Sequence, residues 1–432
     1  MSTFLLCSTP VHGHVMPVLG IGRALVQRGH RVVLLTGSRF EKQARDAGLE
    51  FRALQGIADF DDRDADTYLP DRNRYRGIAR AQYDIKSIFV ATIPDQFASV
   101  QAALINVVPD AILVDGAFAG VTPLLFGSAP RPPIVGVGVT PLSQSSADVA
   151  PFGMGLAPLP GAVGRLRNRF LGWLANRVFF RETHALAKRI LAELGVVSIP
   201  GSIMDVSRSF DRFLQLTPAE LEYPRRDLGA STRFVGPVPS TPGATAVPEW
   251  WPELDGTRPV VHVTQGTIDN VDLSRLIGPT VEALGSHRAD APLVVVTLGG
   301  RGRESLAPLG TLPPNVRVAD YLPYDKLLPL CDVVVTNGGF GGVLQALRAG
   351  VPVVVAGDTE DKPEVAARVA WAGVGVDLRT GRPDAAAVAS AVNRVLTEKS
   401  FRSRAAELSE AIGRLDTIDL IEGELKALVR GS

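Results

Sequence analysis

The sequence predicts an α/β protein with two domains, each built on a parallel sheet that is covered by helices. Three observations carry this prediction. The chain has 432 residues, which exceeds one ordinary domain and fits two of roughly 200 residues. Short apolar segments alternate with amphipathic ones from the N-terminus onward. A Pro-, Thr- and Ala-rich stretch without hydrophobic periodicity, at residues 239–248, separates two similar halves.

The first half repeats a strand–helix–strand pattern. Its apolar runs predict buried parallel strands at residues 4–8, 31–36, 50–54, 109–115 and 134–139. Its periodic segments predict helices from Pro17 to Gly29 and over 40–47, 83–106 and 165–194. Pro17 is expected at the first helical position, where proline is favoured. The first turn lacks the spacing of a dinucleotide-binding fingerprint.

The second half begins in the same way. Strands are predicted at residues 259–264, 293–298, 316–321, 333–335 and 351–356, and amphipathic helices at 385–396 and 402–429. The predicted organisation is a Rossmann-like domain over 1–238, a linker over 239–257, a second Rossmann-like domain over 258–408 and a terminal helix over 409–432.

Composition narrows the function. The 45 basic and 45 acidic side chains give a formal net charge of zero, which argues against a nucleic-acid partner. Both cysteines, Cys7 and Cys331, lie in apolar segments, which predicts buried thiols and a cytoplasmic protein. The N-terminus lacks signal-peptide character, and no run of 18 or more apolar residues predicts a membrane span. Hydrolase elbows, phosphate-binding Walker loops and zinc-type His/Cys clusters are missing from the sequence.

Residues 331–378 organise the rest of the chain. A buried strand is followed by Asn337 and by four glycines, and helical sequence then continues to Gly350. Glycines at this position let phosphate oxygens approach N–H groups at a helix N-terminus. An ordinary tight turn between strand and helix explains the glycines equally well. The next strand is followed by Asp358, Glu360, Asp361 and Lys362, which favours a phosphate ligand that carries hydroxyls, such as a sugar.

This segment resembles the nucleotide-sugar signature of the inverting glycosyltransferases with the GT-B fold, the family of plant and antibiotic glycosyltransferases. The matching residues are Gly338-Gly339, Gly350-Val351-Pro352 and Asp361. The chain departs from the family pattern at three positions, where Asn337 replaces a His, Gln345 a Glu and Lys362 a Gln. The resemblance implies two Rossmann-like domains that face a cleft, with the last helix crossing back to the N-terminal domain.

The resemblance also implies a catalytic pair. The family's Gly-His-x-x-Pro pattern falls on Gly13, His14 and Pro17, which makes His14 the general base. Asp115 ends a predicted strand, where the family has an Asp that orients this His. From position alone, His14 could equally be a turn residue that caps the helix, and Asp115 could be a helix N-cap.

Further site residues follow from the same resemblance. The predicted donor-binding residues are Gln265, Gly266, Thr267, Tyr321, Leu322, Asn337, Gly338, Gly339, Gly341, Gly342, Val343, Gln345, Glu360, Asp361 and Lys362. N–H groups from Gly339 to Val343 are expected to stabilise the departing diphosphate, and Tyr321 to stack on the base. The predicted acceptor-lining residues are His12, Phe118, Thr140, Asp148 and Phe152. Lys362 is expected to pair with Asp358 or Glu360.

Residues 165–194 combine arginines with large apolar side chains. This segment could contact a membrane surface or cover an acceptor pocket, and a helix packed on the core with its arginines in water explains it equally well. The expected function is transfer of a hexose from UDP-glucose to a hydroxyl of a hydrophobic small molecule, without a metal or other cofactor, by a monomer or homodimer. The alternatives are a nucleotide-sugar-binding protein without turnover, a transferase that uses a TDP-deoxysugar, and a nucleotide-sugar epimerase.

Overall fold

The computed structural model describes residues 1–239, 246–267 and 270–431. The first half contains a sheet of seven parallel strands, in the order β3-β2-β1-β4-β5-β6-β7. These strands are β1 (Thr3–Cys7), β2 (Arg31–Thr36), β3 (Glu50–Ala53), β4 (Ala111–Asp115), β5 (Ile134–Gly138), β6 (Arg212–Gln215) and β7 (Thr232–Phe234). In the interior strand β1, Leu5 lies between Val33 of β2 and Ile112 of β4. Apolar clusters pack on both faces of this sheet, which explains why its strands are continuous apolar runs.

The helices of the first half connect these strands and cover the sheet. They are α1 (His12–Gln27), α2 (Glu41–Asp46), α3 (Ala65–Tyr68), α4 (Gly77–Ile85), α5 (Ile93–Val107), α6 (Thr122–Phe126), α7 (Gly161–Leu174) and α8 (Arg181–Glu193). The longest continuous helical stretch, Gly77–Val107, is long and apolar enough to cross a membrane by length and composition alone. Its second part, α5, buries Val100, Ala103 and Val107 in the core beside β1 and β4. We therefore assign α5 to the interior of this half.

The second half contains a sheet of six parallel strands, in the order β10-β9-β8-β11-β12-β13. The strands are β8 (Val260–Thr264), β9 (Leu293–Thr297), β10 (Val316–Ala319), β11 (Val333–Thr336), β12 (Val353–Val355) and β13 (Gly375–Asp377). The helices are α9 (Ile277–Leu284), α10 (Tyr324–Leu327), α11 (Phe340–Arg348), α12 (Lys362–Ala372), α13 (Ala385–Thr397), α14 (Lys399–Gly413) and α15 (Thr417–Gly431). The two parallel sheets confirm the predicted fold class.

The start of α1 differs from the prediction. The helix begins at His12, not at Pro17, and Pro17 lies inside it. The N–H groups of His14 and Val15 bond to the carbonyl oxygen of Val11 at 2.8 and 3.0 Å, so a full turn forms before the proline. Pro17 has no N–H and so cannot form the helical hydrogen bond to the carbonyl oxygen of Gly13. Gly13 is exposed, so water can solvate this carbonyl. His14 therefore lies on the first helical turn and not in a loop.

The C-terminus crosses back to the first half, as expected, and we propose that the crossing lies after residue 409. Helix α14 still packs on α11 of the second half and ends at Gly413. Helix α15 then places Ile418, Ile421 and Leu425 in the apolar cluster that includes Phe4 and Leu6 of β1. Its Glu422 accepts a hydrogen bond from Arg28 and lies 2.9 Å from Nε2 of His30. The crossing therefore falls within residues 414–416.

The predicted linker, 239–257, falls between the two sheets, and its residues 240–245 lie outside the described residues. Trp250 and Trp251 stack with ring centroids 6.2 Å apart and pack on the core of the second half. We propose that the domain division follows this linker.

Candidate active site

The side chains of His14 and Asp115, which were predicted to form the catalytic pair, lie in contact. Nδ1 of His14 lies 3.0 Å from Oδ1 of Asp115. His14 is on the first turn that follows β1, and Asp115 is the last residue of β4. The two strands are neighbours in register, with Cys7 beside Val114, so their carboxyl ends bring the two side chains together. The side chain of His14 is 13% exposed, whereas that of Asp115 is fully buried.

Asp115 is held by backbone groups as well as by His14. Its Oδ2 accepts hydrogen bonds from the N–H of Thr9 at 2.6 Å and the hydroxyl of Ser8 at 3.1 Å. Its Oδ1 accepts a further bond from the N–H of Ala117 at 2.8 Å. Burial alone would raise the pKa of Asp115, but His14 and these donors hold the pKa below its usual value. Asp115 therefore contacts the histidine and the turn that follows β4 at the same time.

An ionised Asp115 at Nδ1 defines the state of the imidazole. It favours the tautomer that carries its proton on Nδ1, which leaves Nε2 as the basic nitrogen. Burial lowers the pKa of His14, but the charges of Asp115, Asp361 and Glu360 outweigh burial and raise the pKa above its usual value. Asp361 and Glu360 belong to the second half, so acidic groups from both halves act on the same imidazole.

The glycine-rich turn leads from β11 into α11. Gly338 has a φ of +89°, and a Cβ there would lie 2.7 Å from Cγ1 of Val355, so this position requires glycine. Gly339, Gly341 and Gly342 differ, because a Cβ at any of them would meet nothing within 4 Å. Open space therefore faces the first turn of α11, whose N–H groups have no partner within the helix.

The structure corrects one part of the predicted phosphate cradle. The N–H of Val343 bonds to the carbonyl oxygen of Gly339 at 3.1 Å, and the Val343 side chain is fully buried. The N–H of Val343 is the first in α11 that has a hydrogen-bond acceptor in the preceding turn. It is therefore not free to bind a ligand. Asn337 donates from Nδ2 to the carbonyl oxygen of Gln265 at 2.6 Å, which ties the glycine turn to the turn after β8. Gln345 lies half-buried on α11.

The turn after β8 consists of Gln265, Gly266 and Thr267, which were predicted to bind the donor. The Gln265 side chain is buried, and its Oε1 accepts bonds from the N–H groups of Leu276 and Ile277 at 3.2 and 3.0 Å. The side-chain amide of Gln265 therefore caps the start of α9. Gly266 follows with a φ of +72°, and Thr267 is exposed.

Of the two predicted donor-binding residues that follow β10, Tyr321 and Leu322, only Tyr321 is exposed. Tyr321 is 56% exposed, and its hydroxyl would lie 2.5 Å from a Cβ at Gly300, so the phenol ring lies against that glycine. Leu322 is buried in the apolar cluster of the second half. Tyr321 can therefore stack on a flat ligand, whereas Leu322 supports the fold.

The loop between β12 and α12 carries the acidic residues. Glu360 adopts a φ of +57°, a left-handed conformation that non-glycine residues rarely adopt and that is frequent at functional sites. Nζ of the buried Lys362 lies 2.8 Å from Oε2 of Glu360 and 2.9 Å from Oγ1 of Thr359. Burial and the Glu360 charge raise the pKa of Asp361 to about 6. The expected pairing of Lys362 with Glu360 is confirmed.

The five predicted acceptor residues have different environments. The N–H of His12 donates to Asp62 at 2.6 Å, and Thr140 is half-buried. Phe118 is 1% exposed within the core, so it does not line an open pocket. Asp148 forms an ion pair with Arg226, with 2.6 Å between Oδ1 and Nη2. Phe152 is half-buried on the loop that follows.

Comparison with known proteins assigns the family. The model for the C-terminal domain of erythromycin biosynthesis protein CIII-like proteins matches residues 283–414. The chain is 38% identical to 4'-demethylrebeccamycin synthase of Lentzea aerocolonigenes, over 97% of this chain and 98% of that protein. This chain is an antibiotic- and macrolide-type glycosyltransferase. It is also 35% identical to UDP-glucosyltransferase A1 of Starmerella bombicola, over 98% of this chain and 92% of that protein.

Solved structures of glycosyltransferases have the same fold. The calicheamicin glycosyltransferase CalG4 matches with a TM-score of 0.74 at 21% identity, over 99% of this chain and 98% of that one. The spinosyn rhamnosyltransferase SpnG, solved with thymidine diphosphate, matches with a TM-score of 0.67 at 19% identity, over 98% and 99% of the two chains. The predicted family and its GT-B fold are confirmed.

This glycosyltransferase contains a buried charge cluster between its two halves that was not predicted from the sequence. Nη2 of Arg368, on α12, lies 3.0 Å from Oε2 of Glu222, and its Nη1 lies 2.6 Å from Oε2 of Glu364. The Arg368 guanidinium also lies 4.3 Å from the centre of the Tyr223 ring. Oε1 of Glu364 accepts bonds from the N–H groups of Gly153 and Gly155. Helix α12 is thereby fixed to the loop that contains Phe152.

A signal for this cluster existed in the sequence. Glu364 and Arg368 have the spacing of two residues on one helix face, but spacing alone does not show that this face is buried.

Within residues 1–239, 246–267 and 270–431, no group of three or more His, Cys, Asp or Glu side chains could hold a metal ion.

Proposed function

We propose that this glycosyltransferase transfers glucose from UDP-glucose to a hydroxyl group of a hydrophobic small molecule, with inversion at the anomeric carbon. The observation that carries the proposal is the His14–Asp115 pair, together with the donor-side acids whose charges act on His14. A base on one half of the protein and sugar-binding carboxylates on the other are the two components that direct transfer requires.

His14 acts as the general base. Its Nε2 takes the proton of the acceptor hydroxyl while the hydroxyl oxygen attacks the anomeric carbon. The bond between that carbon and the diphosphate oxygen breaks, and UDP leaves with the bonding electron pair. Asp115 stabilises the imidazolium that forms. A positioned base of this kind contributes roughly 10²–10⁴-fold to the rate.

The glycine turn receives the leaving group. Negative charge develops on the diphosphate as the bond breaks, and first-turn N–H groups at Gly341 and Gly342, with the positive end of the α11 dipole, stabilise it electrostatically. These donors supply charge stabilisation without a bound metal ion. Tyr321 stacks on the uracil, and Asp361 accepts hydrogen bonds from sugar hydroxyls.

The relatives support UDP-glucose as donor, because the name UDP-glucosyltransferase belongs to a relative that is similar along almost all of this chain. A TDP-sugar is the second candidate, since SpnG was solved with thymidine diphosphate on the same fold. The exposed Tyr321 ring can stack on uracil or thymine, so the site geometry is compatible with both nucleotides.

A nucleotide-release assay tests the proposal. Purified protein is incubated with UDP-glucose or TDP-glucose and a panel of hydrophobic phenols and macrolides. We expect acceptor-dependent UDP release and a β-linked product, with a rate that falls roughly 10²–10⁴-fold in His14→Ala. The control is His287→Ala, which removes an exposed histidine of the second half and should retain full activity. Full activity of His14→Ala would refute the proposed base, and release of TDP alone would refute the proposed donor.

A further inference from the structure

The large apolar side chains of helix α7 face solvent and not the protein core. Val163, Leu166, Phe170 and Trp173 are 75, 69, 59 and 56% exposed. Their spacing of three and four residues places them on one side of the helix. The opposite side, which packs on the protein, presents Gly164, Asn168 and the following Ala175. We name the four exposed residues the α7 stripe.

The packing of the opposite side shows that this orientation is specific. A Cβ at Gly164 would lie 1.8 Å from the carbonyl oxygen of Leu159, so only glycine fits there. Nδ2 of Asn168 donates to the carbonyl oxygen of Ala147 at 3.1 Å. Arg167 donates to the carbonyl oxygen of Ala157 at 3.1 Å. Small and polar contacts therefore hold the helix in place, and the large apolar side chains are left at the surface. Of the alternatives considered for this segment, packing of these apolar residues on the core is therefore not the one observed.

The charges around the α7 stripe have one sign. Residues 149–181 contain five arginines and no Asp or Glu. Arg165, Arg169 and Arg177 are exposed, and within the described parts of the chain none of them forms an ion pair. Asp148 is the nearest acidic residue along the chain before this segment, and it is bonded to Arg226. Glu182 follows the segment and pairs with Lys86.

We propose that the α7 stripe and its arginines dock this protein on the surface of an anionic lipid bilayer. An exposed stripe with a tryptophan and a phenylalanine, bordered by arginines, is the composition of a helix that lies in the interface of a membrane. The apolar side chains enter the boundary between headgroups and acyl chains, and the arginines contact lipid phosphates. The net charge of the whole chain is zero, so the attraction is local to this helix. This inference does not depend on the identity of the sugar donor or of the acceptor.

Vesicle sedimentation tests the inference with the full-length protein. The probes are vesicles of phosphatidylcholine alone and vesicles that also contain phosphatidylglycerol. We expect binding to the anionic vesicles, weaker binding at high salt and little binding to the neutral vesicles. The variant Phe170→Ser/Trp173→Ser should bind at least about tenfold more weakly, and Arg165→Gln/Arg169→Gln roughly tenfold more weakly.

Two matched variants serve as controls. Ile105→Ser/Val197→Ser replaces two apolar residues that are 80 and 95% exposed elsewhere on the first half. Arg189→Gln/Arg414→Gln removes two exposed arginines, one on α8 and one directly after α14. Both should bind like the parent protein, and thermal unfolding should show that all variants are folded. Three results would overturn the inference: no binding to anionic vesicles, equal binding to neutral ones, or a concentration-dependent dimer that the stripe variant abolishes while vesicle binding is unaffected.

Discussion

Nζ of Lys362 lies 2.8 Å from Oε2 of Glu360, so the positive charge at this departure from the family pattern is paired within its own loop. The ammonium is almost fully buried, whereas Glu360 is half-exposed. A lysine that is paired in this way does not require a negatively charged sugar as its partner. The position is therefore compatible with a neutral hexose donor.

Lys362→Gln should leave donor preference almost unchanged. We expect the ratio of kcat/KM for UDP-glucose to that for UDP-glucuronate to change by less than about threefold, because the lysine charge is neutralised before the donor binds. Unfolding in urea should show a loss of less than about 1 kcal/mol, since Glu360 is largely solvated. Lys42→Gln, which removes the exposed lysine paired with Asp46, is the control for stability. A selective loss of UDP-glucuronate activity would show that Lys362 binds the sugar.

Asp115→Asn should lower both activity and stability. Each carboxylate oxygen accepts a backbone N–H, from Thr9 and from Ala117, so the amide nitrogen of Asn must face an N–H in either orientation. We expect a stability loss of about 1–3 kcal/mol, measured by urea unfolding. We expect kcat to fall roughly 10²–10⁴-fold because the imidazolium loses its stabilising charge.

The pH profile separates these two effects. Burial lowers the pKa of His14, and Asp115 is the largest of the charges that raise it. Without that charge the pKa of His14 falls, so the acidic limb of kcat/KM should move to lower pH in Asp115→Asn. Asp290→Asn, at an exposed pair with Arg288, should change neither profile nor stability. An unshifted acidic limb in Asp115→Asn would show that His14 is not the titrating base.

Arg368→Met should strongly destabilise the protein. It leaves Glu364 buried without its cation, and Glu222 keeps only Arg225, 3.4 Å away; breaking such a buried pair costs about 3–5 kcal/mol. A double-mutant cycle with Glu222→Gln, followed by urea unfolding, measures the coupling. The chain offers a matched control in Arg394→Met, because Arg394 and Glu398 have the same spacing but are exposed, and the cost there should be below about 0.5 kcal/mol. Equal losses of unfolding free energy in Arg368→Met and Arg394→Met would show that burial does not determine the cost of breaking the pair.

The parts of the fold that follow from local pattern were predictable. Val333–Thr336 and Val353–Val355 are strands because their runs of valine are buried on both faces of a parallel sheet. The contact between His14 and Asp115 was predictable as well, because neighbouring parallel strands end at the same edge of the sheet. These predictions need only strand order and the direction of the chain.

What sequence could not provide is the direction in which a side chain faces after the elements pack. The side-chain amide of Gln265 satisfies the start of α9, and the pattern of the turn did not show which way this side chain faces. Phe170 and Trp173 were compatible with a core-packed helix, yet Gly164 and Asn168 occupy the packed side. In both cases the local pattern allows two orientations, and contacts distant in sequence select one.

Asp361→Asn should make the protein more stable and less active. The folded protein holds this carboxyl at a pKa of about 6, whereas an unfolded Asp has about 3.9. Below about pH 4 the group is protonated in both states. From there to pH 6 the unfolded chain releases its proton and the folded one does not, so the folded state loses about 1–3 kcal/mol, a cost that is complete above pH 6. Asn has no such cost, so urea unfolding should show a gain of this size at pH 8 and little gain at pH 4.

Transfer from UDP-glucose by Asp361→Asn should fall roughly 10–100-fold, because the amide replaces an acceptor of sugar hydroxyl bonds. Asp66→Asn, at an exposed residue, is the control. A gain in stability that is equal at both pH values would show that folding does not raise the pKa of Asp361.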